Sequence, residues 1–94
     1  MVRLVGVEEH WTLAGIDDAL RAQPPGLVDD SLVLNEHGDA GARLADLGPL
    51  RTAAMDEQGV DVQVLAVAPP GTQGLPPHEA VALSREANDT AADV

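Results

Sequence analysis

Apolar residues along the chain form short continuous runs and longer stretches with helical spacing. Residues 2–7 and 61–67 are short and almost continuously apolar, which predicts two strands covered on both faces, as parallel strands usually are. Apolar positions three or four apart predict helices over residues 13–22, 49–58 and 78–93. The helix over 49–58 leads directly into the second strand, and such a strand–helix–strand unit predicts parallel, adjacent strands. With the helix over 78–93 this gives a βαβα arrangement, and the helix over 13–22 is an additional element after the first strand.

Two stretches rich in proline and glycine separate these elements. Residues 24–46 are predicted to form a long loop, and long connections within compact domains are usually functional or disordered. Residues 68–77, APPGTQGLPP, predict a rigid loop after the second strand. Pro49 suits the first turn of the helix over 49–58, and Gly59 suits a left-handed residue that ends it.

A carboxylate and an imidazole follow the first apolar run. Side chains alternate along a strand, so Glu8 and His10 are predicted on one face with Leu4 and Gly6, and Glu9 on the other. Oxygen and nitrogen donors on one face can bind zinc, manganese or iron. The triplet alone is a weak signal, because the same residues could solvate a strand end and cap the next turn.

The amino-acid composition excludes several classes of binding partner and catalytic group. Sixteen acidic against five basic residues give a formal net charge of −11, which argues against binding to nucleic acid or to an anionic membrane surface. The 94 residues include no cysteine, so thiolate metal sites and cysteine nucleophiles are excluded. No apolar run approaches the length of a membrane span or a signal peptide, so a cytoplasmic location is predicted.

His37 is a further metal candidate, but a solvated loop histidine is favoured there.

Three stretches resemble one family. They are GVEEHW at 6–11, then R-L-x-D, R-x-x-x-M-D-x-x-G-V-D-x-Q-V-L and P-G-x-Q within 43–75, and EANDTAA at 86–92. In this order they resemble the amidohydrolase-related decarboxylases, such as the γ-resorcylate, 2,3-dihydroxybenzoate and aminocarboxymuconate-semialdehyde decarboxylases. The resemblance implies an α/β fold, the N-terminal βαβα portion of a (β/α)8 TIM barrel. Residues 1–94 would be a truncated part of that single domain, because a whole barrel needs about 250 residues.

The same resemblance assigns the candidate site. It implies that Glu8 and His10 bind one divalent metal, most often zinc or manganese. The remaining ligands, a His and an Asp, would lie beyond Val94, so no catalytic residue is expected within the chain. Trp11 could wall a substrate pocket, with packing as an equal alternative, and Gln73 would border that pocket.

The resemblance also implies a function for the complete protein. It would be a homo-oligomeric, metal-dependent, non-oxidative decarboxylase of a small aromatic or unsaturated carboxylic acid. The alternatives are a metal-dependent hydrolase of the same superfamily and a non-catalytic fragment. The 94-residue chain alone is expected to be inactive, to bind metal weakly, and to be marginally folded or oligomeric.

Overall fold

The computed structural model describes residues 2–94. Two strands, β1 (Val5–Trp11) and β2 (Val62–Val67), pair in parallel as a two-stranded sheet. Four α-helices accompany them: α1 (Ala14–Arg21), α2 (Ala40–Ala45), α3 (Pro49–Gln58) and α4 (Pro77–Ala92). Short 3-10 helices at Pro25–Leu27 and Asp30–Glu36 lie between α1 and α2. The predicted βαβα order with parallel, adjacent strands is confirmed.

The first strand lies further along the chain than predicted. β1 runs from Val5 to Trp11, so the Glu-Glu-His triplet lies inside the strand rather than after it. The strand continues because β2 also pairs with its second half, where Glu9, His10 and Trp11 lie beside residues 65–67. Backbone pairing does not depend on side-chain polarity, so the polar triplet does not end the ladder.

The long loop predicted over residues 24–46 is mostly helical, which corrects the prediction. Asp29 caps the 3-10 helix at Asp30–Glu36, accepting hydrogen bonds from the backbone N–H and the hydroxyl of Ser31 at 2.8 and 2.6 Å. Both hydrogen bonds lower the pKa of the Asp29 carboxyl, and the bond from the Ser31 hydroxyl has the larger effect. Leu32 in this helix is buried in the core. The Asp29 cap and the burial of Leu32 thus stabilise a helical segment at Asp30–Glu36, where the prolines and glycines of the sequence suggested a loop.

The last two predicted helices agree with the structure. α3 spans Pro49–Gln58 as predicted, and Gly59 follows it with a φ of 74°, a left-handed conformation that glycine adopts without strain. α4 buries Ala87 and leaves Asn88 and Asp89 exposed, as its apolar spacing predicted. No helix within residues 2–94 combines the length and the apolar character needed to cross a membrane.

The core lies on one face of the sheet only. Leu65 and Val67 of β2 pack there against the buried cluster, which comprises Trp11, Ile16, Leu20, Leu32, Leu75 and Ala87. On the other face Val5, Val7 and Val64 are 47%, 68% and 53% exposed. The prediction that both faces are covered is therefore wrong for this chain. The open face corresponds to the side that a closed barrel turns inward.

We expect Asp17→Asn to raise the free energy of unfolding at pH 7, by less than about 1 kcal/mol because the carboxyl is only partly buried and water screens its charge. Partial burial in α1, and less strongly the charges of Asp18 and Glu36, raise the pKa of Asp17 against the opposing effect of Arg21. The raised pKa means that ionised Asp17 opposes folding. The advantage of the variant is complete above the folded-state pKa and disappears as the pH falls below the unfolded value of 3.8.

Urea unfolding at several pH values measures this difference, with the exposed neighbour Asp18→Asn as control. An Asp17 variant that is less stable than wild type at pH 7 would mean that attraction to Arg21 outweighs burial.

Candidate metal centre

β1 contains an extra residue between Gly6 and Glu9. Gly6 lies beside Gln63 and Glu9 beside Leu65, so three steps along β1 match two steps along β2. This is a β-bulge, which breaks the regular alternation of side chains; such bulges are rare in parallel pairs and frequent next to active sites, where they redirect a side chain.

The bulge changes which residues share a face. Gln63 and Leu65 are two apart on β2 and point the same way, so their partners Gly6 and Glu9 also share a face. A side-chain carbon at Gly6 would collide with the Glu9 carboxylate in its present position, so any larger residue there would displace the Glu9 side chain. The prediction that Leu4 and Gly6 share the face of Glu8 and His10 is therefore wrong. The prediction assumed that side chains alternate between the two faces along the whole strand, and the extra residue of the bulge breaks this alternation.

The two candidate metal ligands are exposed, whereas Glu9 is partly buried. His10 lies beside Ala66, on the open face that also carries Val64. Glu9 is on the opposite, helix-covered face, and both Glu9 and His10 line a cavity of about 370 Å³ beside Arg51. The strand register therefore puts the side chains of His10 and Glu9 on opposite faces of the sheet, and both Glu8 and His10 are exposed residues.

Glu8 has an unusual backbone conformation. Its φ is 57°, the one positive value at a non-glycine residue among the residues that the structure describes. For an ordinary residue this left-handed conformation costs roughly 1–2 kcal/mol, and such residues concentrate at active sites and ligand-binding loops. The strained position coincides with the bulge and with the first carboxylate of the candidate site.

Arg51 of α3 contacts the end of the strand that carries the candidate ligands. Its Nη2 donates to the backbone oxygen of His10 at 2.8 Å, and its Nη1 donates to Oε1 of Gln63 at 3.0 Å. Its Nε donates to the backbone oxygen of Asp46, also at 2.8 Å. One guanidinium thus joins β1, β2 and the segment between α2 and α3.

The described residues contain no complete set of metal ligands. Within residues 2–94 no three His, Cys, Asp or Glu side chains lie close enough together to hold an ion. Glu8 and His10 therefore stand without a third donor from this part of the chain. His37, the further candidate, is exposed at the end of the second 3-10 helix and joins no such group.

The two predicted substrate contacts occupy different environments. Trp11 is 3% exposed and belongs to the core, so packing, the alternative reading, describes its place in this structure. Gln73 is exposed and lines a cavity of about 500 Å³ between the β2–α4 loop and α4, together with Thr72, Ser84 and Asn88. The amide hydrogen bond from Ala68 to the Trp11 oxygen, at 2.7 Å, joins the start of this loop to the end of β1.

Sequence reasoning missed two residues of this region. Arg51 stood within the R-x-x-x-M-D stretch, and that motif was the one available signal for it. Gly6 stood directly before the triplet, where an isolated glycine in a strand often marks a bulge or a close approach. Neither residue carries recognisable metal chemistry, so a search for ligands passes over both.

Comparison with known proteins identifies similar enzymes. The chain is 29% identical over 90 residues to γ-resorcylate decarboxylase of Rhodococcus jostii, a match that covers 95% of this chain and 25% of the relative. It is similar in structure to 5-carboxyvanillate decarboxylase of Sphingomonas paucimobilis, with a TM-score of 0.80 and 30% identity over 99% of this chain. No family model matches the chain.

A second solved structure gives the same result. The 5-carboxyvanillate decarboxylase of Novosphingobium aromaticivorans, with bound manganese and 3-methoxy-4-hydroxy-5-nitrobenzoic acid, matches with a TM-score of 0.79 and 36% identity over 97% of this chain. The chain spans 25–30% of the length of these relatives. The predicted resemblance to amidohydrolase-related decarboxylases, over a part of their α/β barrel, is confirmed.

We expect Glu8→Gly to be more stable than Glu8→Ala by about 1 kcal/mol, because glycine adopts a positive φ without steric cost. Denaturant unfolding of both variants measures the difference. The matched control is Val7→Gly against Val7→Ala in the same strand, where alanine is expected to be the more stable. The same order of stability at both positions would contradict the left-handed conformation of Glu8.

Proposed function

From this similarity we propose that the segment belongs to a metal-dependent, non-oxidative decarboxylase of small aromatic carboxylic acids. One observation carries the proposal: sequence and fold match 5-carboxyvanillate decarboxylases over 97–99% of this chain, at 30–36% identity. Because the chain spans less than a third of those enzymes, the activity is proposed for the protein that also contains the rest of the barrel. The cytoplasmic location and homo-oligomeric state predicted from the sequence stay predictions.

We propose Glu8 and His10 as ligands of one divalent metal. A carboxylate oxygen and an imidazole nitrogen form a donor set that suits manganese or zinc. Manganese is favoured because the Novosphingobium relative contains it. Both side chains are exposed, and His10 lies on the face of the sheet that the core leaves open. When bound, such an ion supplies positive charge that holds and polarises a carboxylate substrate.

The residues of this chain would hold and orient the substrate. The loop of residues 68–77 follows β2, and its start is hydrogen-bonded to the end of β1, so the loop lies at the same edge of the sheet as the triplet. Active sites of parallel barrels form at this edge. Gln73 could donate or accept a hydrogen bond with a ring substituent. Trp11 is assigned no substrate contact, because its side chain has almost no accessible surface.

The first test concerns the ligands. In the protein with the complete barrel, Glu8→Gln and His10→Ala should each reduce bound manganese or zinc, whereas Glu9→Gln should leave most of it. The reason is that removing a donor weakens metal binding, while Glu9 lies on the other face. Metal content by mass spectrometry measures the effect. Metal loss on changing Glu9, with retention on changing Glu8, would reverse the assignment.

The second test concerns the reaction. The complete protein should release CO2 from hydroxybenzoates, and a chelator should abolish the release. The 94-residue chain alone serves as a control and should release none, because it lacks a group of three metal donors among its described residues. CO2 release that survives thorough chelation would contradict the metal-dependent mechanism. Chelator-sensitive amide or lactone hydrolysis without CO2 would favour the hydrolase alternative.

A further inference from the structure

Arg51 makes hydrogen bonds that its charge alone does not explain. Its three nitrogens donate to neutral oxygens of His10, Gln63 and Asp46 at 2.8–3.0 Å. Its Nη2 also has a longer hydrogen bond, of 3.5 Å, to the backbone oxygen of Arg43. Among the residues that the structure describes, ion pairs join Arg21 to Glu36 and Arg43 to Asp39, and Arg51 takes part in neither. Arg51 therefore acts here as a rigid set of donors rather than as a partner of a carboxylate.

The geometry requires a guanidinium. The acceptors belong to β1, to β2 and to the α2–α3 connection, and they surround a planar group whose N–H bonds point in fixed directions. A lysine ammonium at the same position is a point charge on a flexible stem, and it cannot hold three such acceptors in one fixed arrangement. Arg51 is also held itself, because its backbone N–H donates to the Asp46 carboxylate at 3.3 Å.

The His10 bond is the important one for function. Arg51 Nη2 donates to the backbone oxygen of the residue whose imidazole is the proposed metal ligand. Fixing this carbonyl fixes the peptide plane next to the His10 Cα, and so limits where the imidazole can lie. The bulge at Glu8 makes this support necessary, because regular pairing of β1 with β2 is interrupted just before the ligand residues.

We propose that Arg51 is a positioning residue for the metal ligand His10, acting through the backbone and supported by Gln63. The proposal rests on the proposed function, since it takes His10 to be a ligand. Groups that orient metal ligands typically contribute 10–100-fold to metal affinity. Arg51 contacts His10 through the backbone oxygen, so its effect is on the placement of His10.

The experiment compares manganese binding in variants of the complete protein. Arg51→Lys should raise the manganese dissociation constant about 10–100-fold and change the electron paramagnetic resonance spectrum of bound manganese. Arg43→Lys is the matched control, because within residues 2–94 the Arg43 side chain pairs only with Asp39. Its contact with Arg51 is through the backbone oxygen, which the substitution leaves in place. Ile16→Val is the stability control, because it loosens the buried core without removing any hydrogen-bond partner of Arg51. His10→Ala gives the loss expected when a ligand is removed.

Each outcome has one reading. Large losses in Arg51→Lys and His10→Ala, with both controls close to wild type, support the proposal. Loss in His10→Ala alone overturns the role of Arg51 and leaves the proposed function standing. Retention of manganese by His10→Ala removes the ligand assignment, and the positioning role with it. An equal loss in Ile16→Val would show a general effect of stability and overturn the proposal.

A second variant covers the case in which Arg51→Lys does not fold. Gln63→Met removes the acceptor for Nη1 with little change in volume and leaves the His10 and Asp46 bonds in place. It should weaken manganese binding less than Arg51→Lys, but more than the Arg43 control. Binding equal to that of the control would overturn the proposed support by Gln63 and, without a folded Arg51 variant, the proposal.

Discussion

The bulge in β1 is the constraint on which the rest of the site depends. One additional residue between Gly6 and Glu9 turns Glu9 towards the helices and leaves His10 on the open face. Without it, regular alternation would place Glu9 beside Val5 and Val7, on the face that carries no helix. The left-handed φ of Glu8 accommodates the extra residue, and the absence of a side chain at Gly6 leaves room for the Glu9 carboxylate.

The bulge interrupts the pairing of β1 with β2 beside the candidate ligands. Contacts from the surrounding structure hold the end of β1 in place. Backbone bonds connect the end of β1 to two other segments: Thr12 donates to the Leu44 oxygen at 2.9 Å, and Ala68 donates to the Trp11 oxygen at 2.7 Å. Burial of the Trp11 ring fixes the strand end from the core side. Together with the Arg51 guanidinium, these contacts hold a strained strand end in one conformation, which agrees with the way active sites retain unfavourable backbone angles.

The sequence was sufficient for elements whose signals are local. Pro49 and Gly59 define α3 through the properties of single residues, and the spacing that buries Ala87 predicts the face of α4. The bulge could not be predicted in this way, because an extra residue is defined only relative to the partner strand. The burial of Trp11 was likewise undecided, since a large aromatic side chain beside a polar triplet suits a pocket or a core equally well. The 3-10 helix at Asp30–Glu36 packs on the rest of the chain through the burial of Leu32, a contact between distant parts of the chain that local signals do not show.

The open face of the sheet links stability to the proposed metal site. Val5, Val7 and Val64 leave apolar surface on the face that carries His10, and burying such surface stabilises a fold by about 25 cal/mol per Å². A catalytic metal generally has three protein ligands, and residues 2–94 bring no group of three together. If Glu8 and His10 bind metal as proposed, the missing donors must come from a segment that reaches this same face. Covering the valines and completing the metal site would then be one structural event, so metal binding and folding of the complete barrel should be coupled.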